Sequence, residues 1–335
     1  MGAGLRGSVV VAVASEFSLR GGDSAAVLRQ HGLEPDALSN PGVKVPLARY
    51  VAMFEEMANE LADPSLGARL GLAMRPVALG PAGMVMSKSR SIITALERLT
   101  RFFTTFQPDT QSALLVGDGE VTWTYRLSDP AIWPRRQDSE FTMSSLIQFI
   151  RSAFLRHWRP QMVQFEHGPI SEDDTLILEG LLGCPIRFDA ASNGITFALS
   201  DARTDLREED ADLMATLEGY LADIMPSEIG VSWTSRVLAL IATRLGHRSV
   251  TLEEIAFDLA IAPRSLQRRL AEEGTSLRQL LCDHRKQVAD LHLRAGVPHL
   301  GNLAAALGYA DGTTFWRAHR GWQGVPPSAV RAKRR

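Results

Sequence analysis

The chain has 335 residues, 45% of them apolar and 22% charged, enough for two domains that each bury a core. No apolar run approaches 18 residues, so no membrane span is expected, and two distant cysteines, Cys184 and Cys282, suggest neither a disulfide framework nor a cysteine metal site and fit a reducing cytoplasm. The net charge of −2 hides an asymmetry: residues 236–335 carry 16 Lys+Arg against 8 Asp+Glu, which makes that third +8 and the remainder −10. A basic C-terminal third suits a polyanionic partner.

The N-terminal region opens helical. Ser8 to Ala14, SVVVAVA, could imitate a signal peptide but makes a good first turn of a buried helix. Asp23 to His31 reads as a short helix stopped by Gly32, and Leu47 to Leu61 as a longer one, with Val51, Phe54, Met57 and Ala58 on its apolar side. The string DPSLGARLG, from Asp63 to Gly71, reads as a turn, one helical turn and a glycine stop. Gly80 to Gly83 reads as a loop. Ser91 to Phe106 is a predicted helix with Ile92, Ala95, Leu96, Leu99 and Phe103 inward.

Strands come next. Ala113 to Val116 and Val121 to Leu127 flank Gly117-Asp118-Gly119, a hairpin signal. A helix is expected over about Asp138 to Trp158, a strand over Met162 to Phe165, and a helix over Asp173 to Leu182 ended by Gly183. Ile186 to Phe188 and Ile195 to Leu199 suggest a second hairpin about Asn193-Gly194. Helices and strands mingle, so residues 1–205 are expected to form an α+β domain. Phe102, Phe103, Phe106, Trp123, Tyr125, Phe149 and Trp158 could line a pocket for a small effector or simply fill the core. His157 and His167 could be polar contacts there. No GxSxG, HExxH or P-loop is present, so no catalytic residue, cofactor or metal is expected.

Residues 206–247 read as connecting helices. One has an apolar stripe of Leu213, Leu217, Tyr220, Leu221 and Ile224, broken at Pro226; another has Val237, Leu238, Ile241 and Leu245. The first stripe serves equally as a dimer contact or as packing within its own domain.

Residues 248–335 carry the most specific pattern. Thr251-Leu252-Glu253-Glu254 is a capping box opening a helix with Leu252, Ile255, Ala256 and Leu259 at i, i+3, i+4 and i+7. Leu300, Leu303, Ala304 and Leu307 repeat that spacing 48 residues later. Each is followed by a short turn, Ala260-Ile261-Ala262 or Gly308-Tyr309-Ala310, and then by a second helix. Pro263 to Glu273 places Gln267 and Arg268 within about 60° of Arg264 and puts Leu266 and Leu270 on the opposite face. Gly312 to Trp322 puts Phe315 and Trp322 on one face and Thr313, Trp316, Arg317 and Arg320 on the other. Two helices joined by a tight turn, the second exposing basic residues, describe a helix-turn-helix, and here the unit occurs twice. Ser276 to Leu293 reads as a long helix joining the copies, with Leu277, Leu280, Leu281, Val288 and Leu291 apolar.

LEEIAFDLAIAPRSLQRRLAEEGTSLRQLL followed by LAAALGYADGTTFWRAHRGWQGVPP resembles the DNA-binding domain of the AraC/XylS family of transcription regulators. DPSLGARLG and LLGCPIRFDAASNGITFAL are similar to the family subgroup with the arabinose-binding-like N-terminal domain. The resemblance implies an α+β effector-sensing or dimerisation domain followed by an all-α domain with two helix-turn-helix units. It implies double-stranded promoter DNA as partner, RNA polymerase too if the protein activates, a homodimer, and a small apolar or amphipathic effector. Base-edge contacts are expected from Arg264, Gln267, Arg268, Thr313 and Arg317, and backbone or sugar contacts from Trp316 and Arg320. Arg269 is at best a phosphate candidate. Three positions depart from the family pattern: His319 stands where a core Phe is usual, Ala262 where a capping Ser is common, and Gly312 where a polar side chain is common. The alternatives are an effector-independent dimeric repressor and an enzyme targeted to DNA by its basic domain.

Overall fold

A computed structural model describes residues 5–38, 43–105, 107, 110–129, 132–224, 232–246, 249–295 and 300–332; Phe106, Pro226 and the side chain of Leu291 lie outside the described residues. Contacts divide the chain into two compact units. The first takes Met1–Val163, Pro169–Ile186 and Gly194–Pro226; the second takes Gln164–Gly168, Arg187–Asn193 and Ser227–Arg335.

The first unit begins with β1 (Leu5–Arg6) and α1 (Gly7–Leu19). Val9, Val10, Val13, Ala14 and Phe17 of α1 are buried, so the signal-like run is a core helix. Next come α2 (Ser24–Gln30), capped by Asp23 through the Ala26 amide at 2.9 Å, α3 (Pro35–Leu38) and β2 (Lys44–Val45), which pairs antiparallel with β1. Helix α4 (Leu47–Glu60) buries Tyr50, Val51, Phe54 and Met57.

Two glycine readings change at this point. The DPSLGARLG string forms α5 (Leu66–Ala73), two turns long, and Gly71 lies inside it rather than stopping it. Its partner is α8 (Arg136–Ala153), and the approach is closer than any side chain allows. A Cβ on Gly67 would lie 2.2 Å from the Gln137 carbonyl oxygen, and one on Gly71 2.0 Å from Ser144 Oγ. Gln137 stitches the pair: its Oε1 accepts from the Gly67 amide at 2.7 Å and its Nε2 donates to the Pro64 carbonyl at 2.9 Å. Likewise Gly80 to Gly83 is not a loop throughout. Gly80 turns at φ +62 and Pro81 opens α6 (Pro81–Lys88), where proline's missing N–H leaves nothing unsatisfied.

Helix α7 (Ile92–Phe102) keeps Ile92, Ala95, Leu96 and Leu99 inward as its period predicts. The hairpin of β3 (Thr110–Val116) and β4 (Glu120–Leu127) is antiparallel, with Val116 opposite Val121. Val121, Trp123 and Tyr125 are buried on one face, but Thr124 and Arg126 are buried on the other. After α8 come β5 (Met162–Gln164), α9 (Glu172–Leu182) ended by left-handed Gly183, β6 (Ile186–Arg187) and β7 (Asn193–Ala198).

The sheet order is β3-β4-β7-β5-β6, which overturns the second expected hairpin: β6 and β7 are not neighbours, because β5 lies between them. Val163 N donates to Pro185 O and Phe165 N to Arg187 O, a pairing that advances the same way along both segments and needs α9 as its crossover. Nor is Asn193-Gly194 a turn: these are the first two residues of β7, which lies between β4 and β5. Short α10 (Leu199–Arg203) and α11 (Ala211–Ile224) complete the unit, α11 burying Met214 and Leu221.

Among the described residues of the second unit, those beyond 164–168 and 187–193 form helices and their connections: α12 (Trp233–Arg244), α13 (Leu252–Asp258), α14 (Pro263–Glu272), α15 (Leu277–Ala295), α16 (Leu300–Ala306), α17 (Gly312–Gln323) and α18 (Pro327–Ala332). It has two cores. Val237, Ile241, Ile255, Leu266, Leu270 and Leu280 make one; Leu245, Val288, Leu293, Leu303, Leu307 and Phe315 make the other. Helix α15 runs through both, with Leu281 packed against each.

Candidate nucleic-acid interface

Helices α13 and α14, and then α16 and α17, are the same unit built twice. Thr251 Oγ1 accepts the Glu254 amide at 3.3 Å while Glu254 Oε2 accepts the Thr251 amide at 3.2 Å, so the expected capping box holds the start of α13. The two turns match bond for bond. Ala260 N donates to Phe257 O and Ile261 N to Ala256 O in the first; Gly308 N donates to Ala305 O and Tyr309 N to Ala304 O in the second. Ala260 and Gly308 are both left-handed, at φ +53 and +69. This closure satisfies the last helical carbonyls and aims the following helix across the first.

The second helix of each unit then divides by face. In α14, Leu266 and Leu270 are buried, whereas Arg264, Gln267 and Arg268 are exposed. In α17, Phe315 and His319 are buried, whereas Thr313, Trp316, Arg317 and Arg320 are exposed. All seven sequence-predicted residues thus lie on the outer faces of these two helices. Arg268 has only a loose contact with Glu272, 3.7 Å away with both side chains largely exposed, which leaves its guanidinium available. The Arg320 guanidinium stands 5.5 Å from the Trp316 ring centroid. Arg269 is held differently: its guanidinium lies 4.4 Å over the Trp233 ring, so it packs α14 onto α12 rather than presenting a free charge.

The departures from the family pattern have local answers. His319 is 2% exposed and its Nδ1 lies 2.9 Å from the Val325 carbonyl oxygen. A carbonyl only accepts, so Nδ1 carries the proton and the buried ring is partnered. Ala262 leaves α14 without a side-chain cap. At the corresponding place in the second unit Asp311 caps α17, taking the Thr314 amide at 2.7 Å, and this bond holds its carboxyl below the usual range.

Several positioning residues escaped sequence reading because their partners are distant. Glu273, just past α14, caps the start of α12: its carboxylate accepts the Trp233 and Thr234 amides, each at 2.8 Å. The Thr234 hydroxyl and these amides hold Glu273 below its ordinary pKa. Arg285 of α15 donates through Nε to the Leu307 carbonyl at 2.8 Å and lies 4.6 Å over Tyr309, closing the end of α16. Arg244 pairs with Asp258 at 2.6 Å and ties α12 to the end of α13. A charge near a helix end was the available signal; which helix it served was not.

The first unit holds a cavity of about 40 Å³ whose walls include Leu99, Phe103, Trp123, Phe141, Leu146 and Phe149. Of the aromatic residues singled out in the sequence, Phe103, Trp123 and Phe149 line it, whereas Phe102, Tyr125 and Trp158 are buried elsewhere. Its polar side chains, Tyr50, Gln107, Thr142 and Ser145, were not anticipated. His157 is exposed; His167 is buried, with Nδ1 3.0 Å from the Gly168 carbonyl oxygen. Among the described residues no group of three or more His, Cys, Asp or Glu could hold a metal ion, and no helix is long and apolar enough to cross a membrane.

Comparison with known proteins agrees with this geometry. Residues 21–206 match the family described as the arabinose-binding domain of AraC transcription regulators, N-terminal, and residues 255–333 match a helix-turn-helix domain. The HTH-type transcriptional regulator VirS of Mycobacterium tuberculosis is 27% identical over 315 residues, covering 93% of this chain and 92% of VirS. The ornithine utilization regulator of Pseudomonas aeruginosa is 38% identical over 97 residues, 29% of this chain and 28% of that protein. The crystal structure of the transcriptional regulator CdpR from Pseudomonas aeruginosa aligns over 92% of this chain and 96% of its own, at 20% identity and a TM-score of 0.45.

Proposed function

This chain belongs to the AraC/XylS family of DNA-binding helix-turn-helix transcription regulators, in the branch with the arabinose-binding type of N-terminal domain, and we propose that it reads its operator with α14 and α17 under control of a small molecule held in the N-terminal unit. The doubled helix-turn-helix, bond for bond at its turns, carries this reading. Arg264, Gln267 and Arg268 contact base edges from α14, and Thr313 and Arg317 from α17. Arginine can bond both acceptors of guanine, and glutamine the paired donor and acceptor of adenine, when a helix lies in the major groove. Trp316 and Arg320 contact the backbone and set affinity and its salt dependence.

Helix α15, 19 residues and so about 28 Å long, runs through both cores and sets the spacing of the two reading helices. They enter successive major grooves on one face of the duplex, about one turn or 34 Å apart. A homodimer forms through the N-terminal unit, and the half-exposed edge of α11, with Tyr220 50% exposed, supports that placement. The protein acts in the cytoplasm, where its DNA lies, and contacts RNA polymerase if its output is activation.

A second reading, an effector-independent dimeric repressor, is favoured by the small volume of the N-terminal cavity, about 40 Å³. Operator titration of the full chain separates the two once a ligand is in hand: a repressor that only dimerises keeps its affinity in the ligand's presence. Base readout is tested by Arg268→Ala in a gel-shift titration. The expected loss is about 1–3 kcal/mol with relaxed preference at one base position, and unchanged operator binding would remove Arg268 from the reading face.

A further inference from the structure

The cavity of the N-terminal unit has a chemistry of its own. Its walls come from β1, α1, α4, α7, β4 and α8, and most are apolar or aromatic. Trp123 offers only ring surface, because its Nε1 already donates to Thr100 Oγ1 at 3.0 Å. Polar groups gather along α8 and opposite it. Gln107 Nε2 donates to Tyr125 Oη at 2.6 Å, and Tyr125 Oη donates to Asp138 Oδ2 at 2.6 Å, so the amide heads a hydrogen-bonded chain that ends on a buried carboxylate. Ser145 is 6% exposed, lines the cavity, and its Oγ finds no hydrogen-bond partner among the described residues. A buried hydroxyl without a partner is costly to keep and is rare unless something else satisfies it. Tyr50 also lines the cavity, and burial together with the Asp138 carboxylate keeps its phenol neutral well past the usual range.

Two ligand classes fit badly. No Lys, Arg or His lines the cavity, so a carboxylate would be buried without a counter-charge. A pentose would bring several hydroxyls to a wall that is mostly hydrocarbon, and most would lose their hydrogen bonds to water without replacement. Size also matters. At about 40 Å³ the cavity holds one or two waters, against roughly 150 Å³ for a cavity that takes benzene. The difference can be met at one side. Met74 and Leu79 line the cavity from the end of α5 and the turn Pro76–Leu79, where Leu79 is half-buried and Val77 beside it is 68% exposed. A methionine has the rotamer freedom to swing aside.

We propose that this cavity binds a small neutral molecule with an apolar ring and a single hydroxyl or amide head, the head bonding Ser145 and the ring lying among Phe103, Trp123, Phe141 and Phe149 after Met74 and Leu79 move. The regulatory meaning of this site rests on the effector reading given above; the site itself does not.

Thermal unfolding of the full chain tests it, with benzyl alcohol, benzoate and arabinose as probes. Benzyl alcohol raises Tm saturably, and benzoate and arabinose do not. Ser145→Ala weakens the apparent benzyl alcohol affinity by about fivefold, the usual worth of one neutral hydrogen bond. Val9→Phe, which fills the cavity from α1, removes the shift; Ser145→Ala, which deletes only the hydroxyl, keeps the test valid if the larger substitution unfolds the domain. No saturable shift with benzyl alcohol, an equal shift with benzoate or arabinose, or full affinity in Ser145→Ala would overturn the proposal. Operator affinity is measured with and without benzyl alcohol on the same samples. A Tm shift with unchanged operator affinity supports the site and removes its regulatory role.

Discussion

Ala260 and Gly308 occupy the same corner of the two helix-turn-helix units, but only one of them is a residue suited to it. A Cβ in the left-handed region costs about 1 kcal/mol or somewhat more, against which glycine loses more freedom on folding. Ala260→Gly is expected to raise the stability of the C-terminal unit by about 0.5–1 kcal/mol, read from its denaturant midpoint; a loss would show that the corner is not strained. Gly71 makes the opposite case. Its absent Cβ would also lie 2.4 Å from the Phe141 carbonyl oxygen, which is backbone and moves only if α8 moves. Gly71→Ala is expected to cost about 2–3 kcal/mol, and a change under about 0.5 kcal/mol would mean that α5 and α8 separate easily. Sequence reading took Gly71 for a helix stop. A glycine that ends a helix and one that lets a second helix touch it are identical in the sequence, because the distinguishing atom belongs to residues some seventy positions away.

At the scale of elements, periodicity was a good guide wherever one face met water. Helices α4, α7, α13, α14 and α17 follow their apolar spacing, and α14 and α17 could be divided into buried and outward faces from the sequence. It was a poor guide to α8, where Gln137, Asp138, Ser139, Glu140, Ser144 and Ser145 are all buried, so polar residues no longer mark an outer face. Nor could Asn193-Gly194 reveal that β5 would come between β6 and β7, since strand order is set by long-range pairing.

The buried charges of α8 have a measurable consequence. Burial raises the Glu140 carboxyl to a pKa of about 7, against the pull of Arg136, whose Nε donates to it at 2.6 Å. Glu55 is raised in the same direction by burial. A carboxyl with a raised pKa binds its proton more tightly in the folded chain than in the unfolded one. Its contribution is therefore most favourable below about pH 4.5 and is lost as pH climbs to about 7, up to about 3 kcal/mol for Glu140. Urea unfolding of the first unit is expected to show stability declining over that window, and Glu140→Gln, whose amide oxygen still accepts from Arg136, is expected to flatten the decline. An identical pH slope in the variant would mean that Glu140 stays ionised in the fold.

For the whole molecule, the charge asymmetry, the tandem helix-turn-helix pattern and the match of residues 21–206 and 255–333 to regulator families agree on a DNA-binding regulator. The outward faces of α14 and α17 were legible in the sequence; the clamps that hold them, Glu273 on α12 and Arg285 on α16, were not, because each joins a helix end to a residue more than twenty positions distant. In the proposed reading, specificity depends on these two helices acting at a fixed separation. Hydroxyl-radical footprinting of the full chain on its operator tests this most directly. The expected result is two protected patches on one face of the duplex, about one helical turn apart, with Arg268→Ala weakening one and Arg317→Ala the other. A single patch, or both substitutions weakening the same patch, would contradict it.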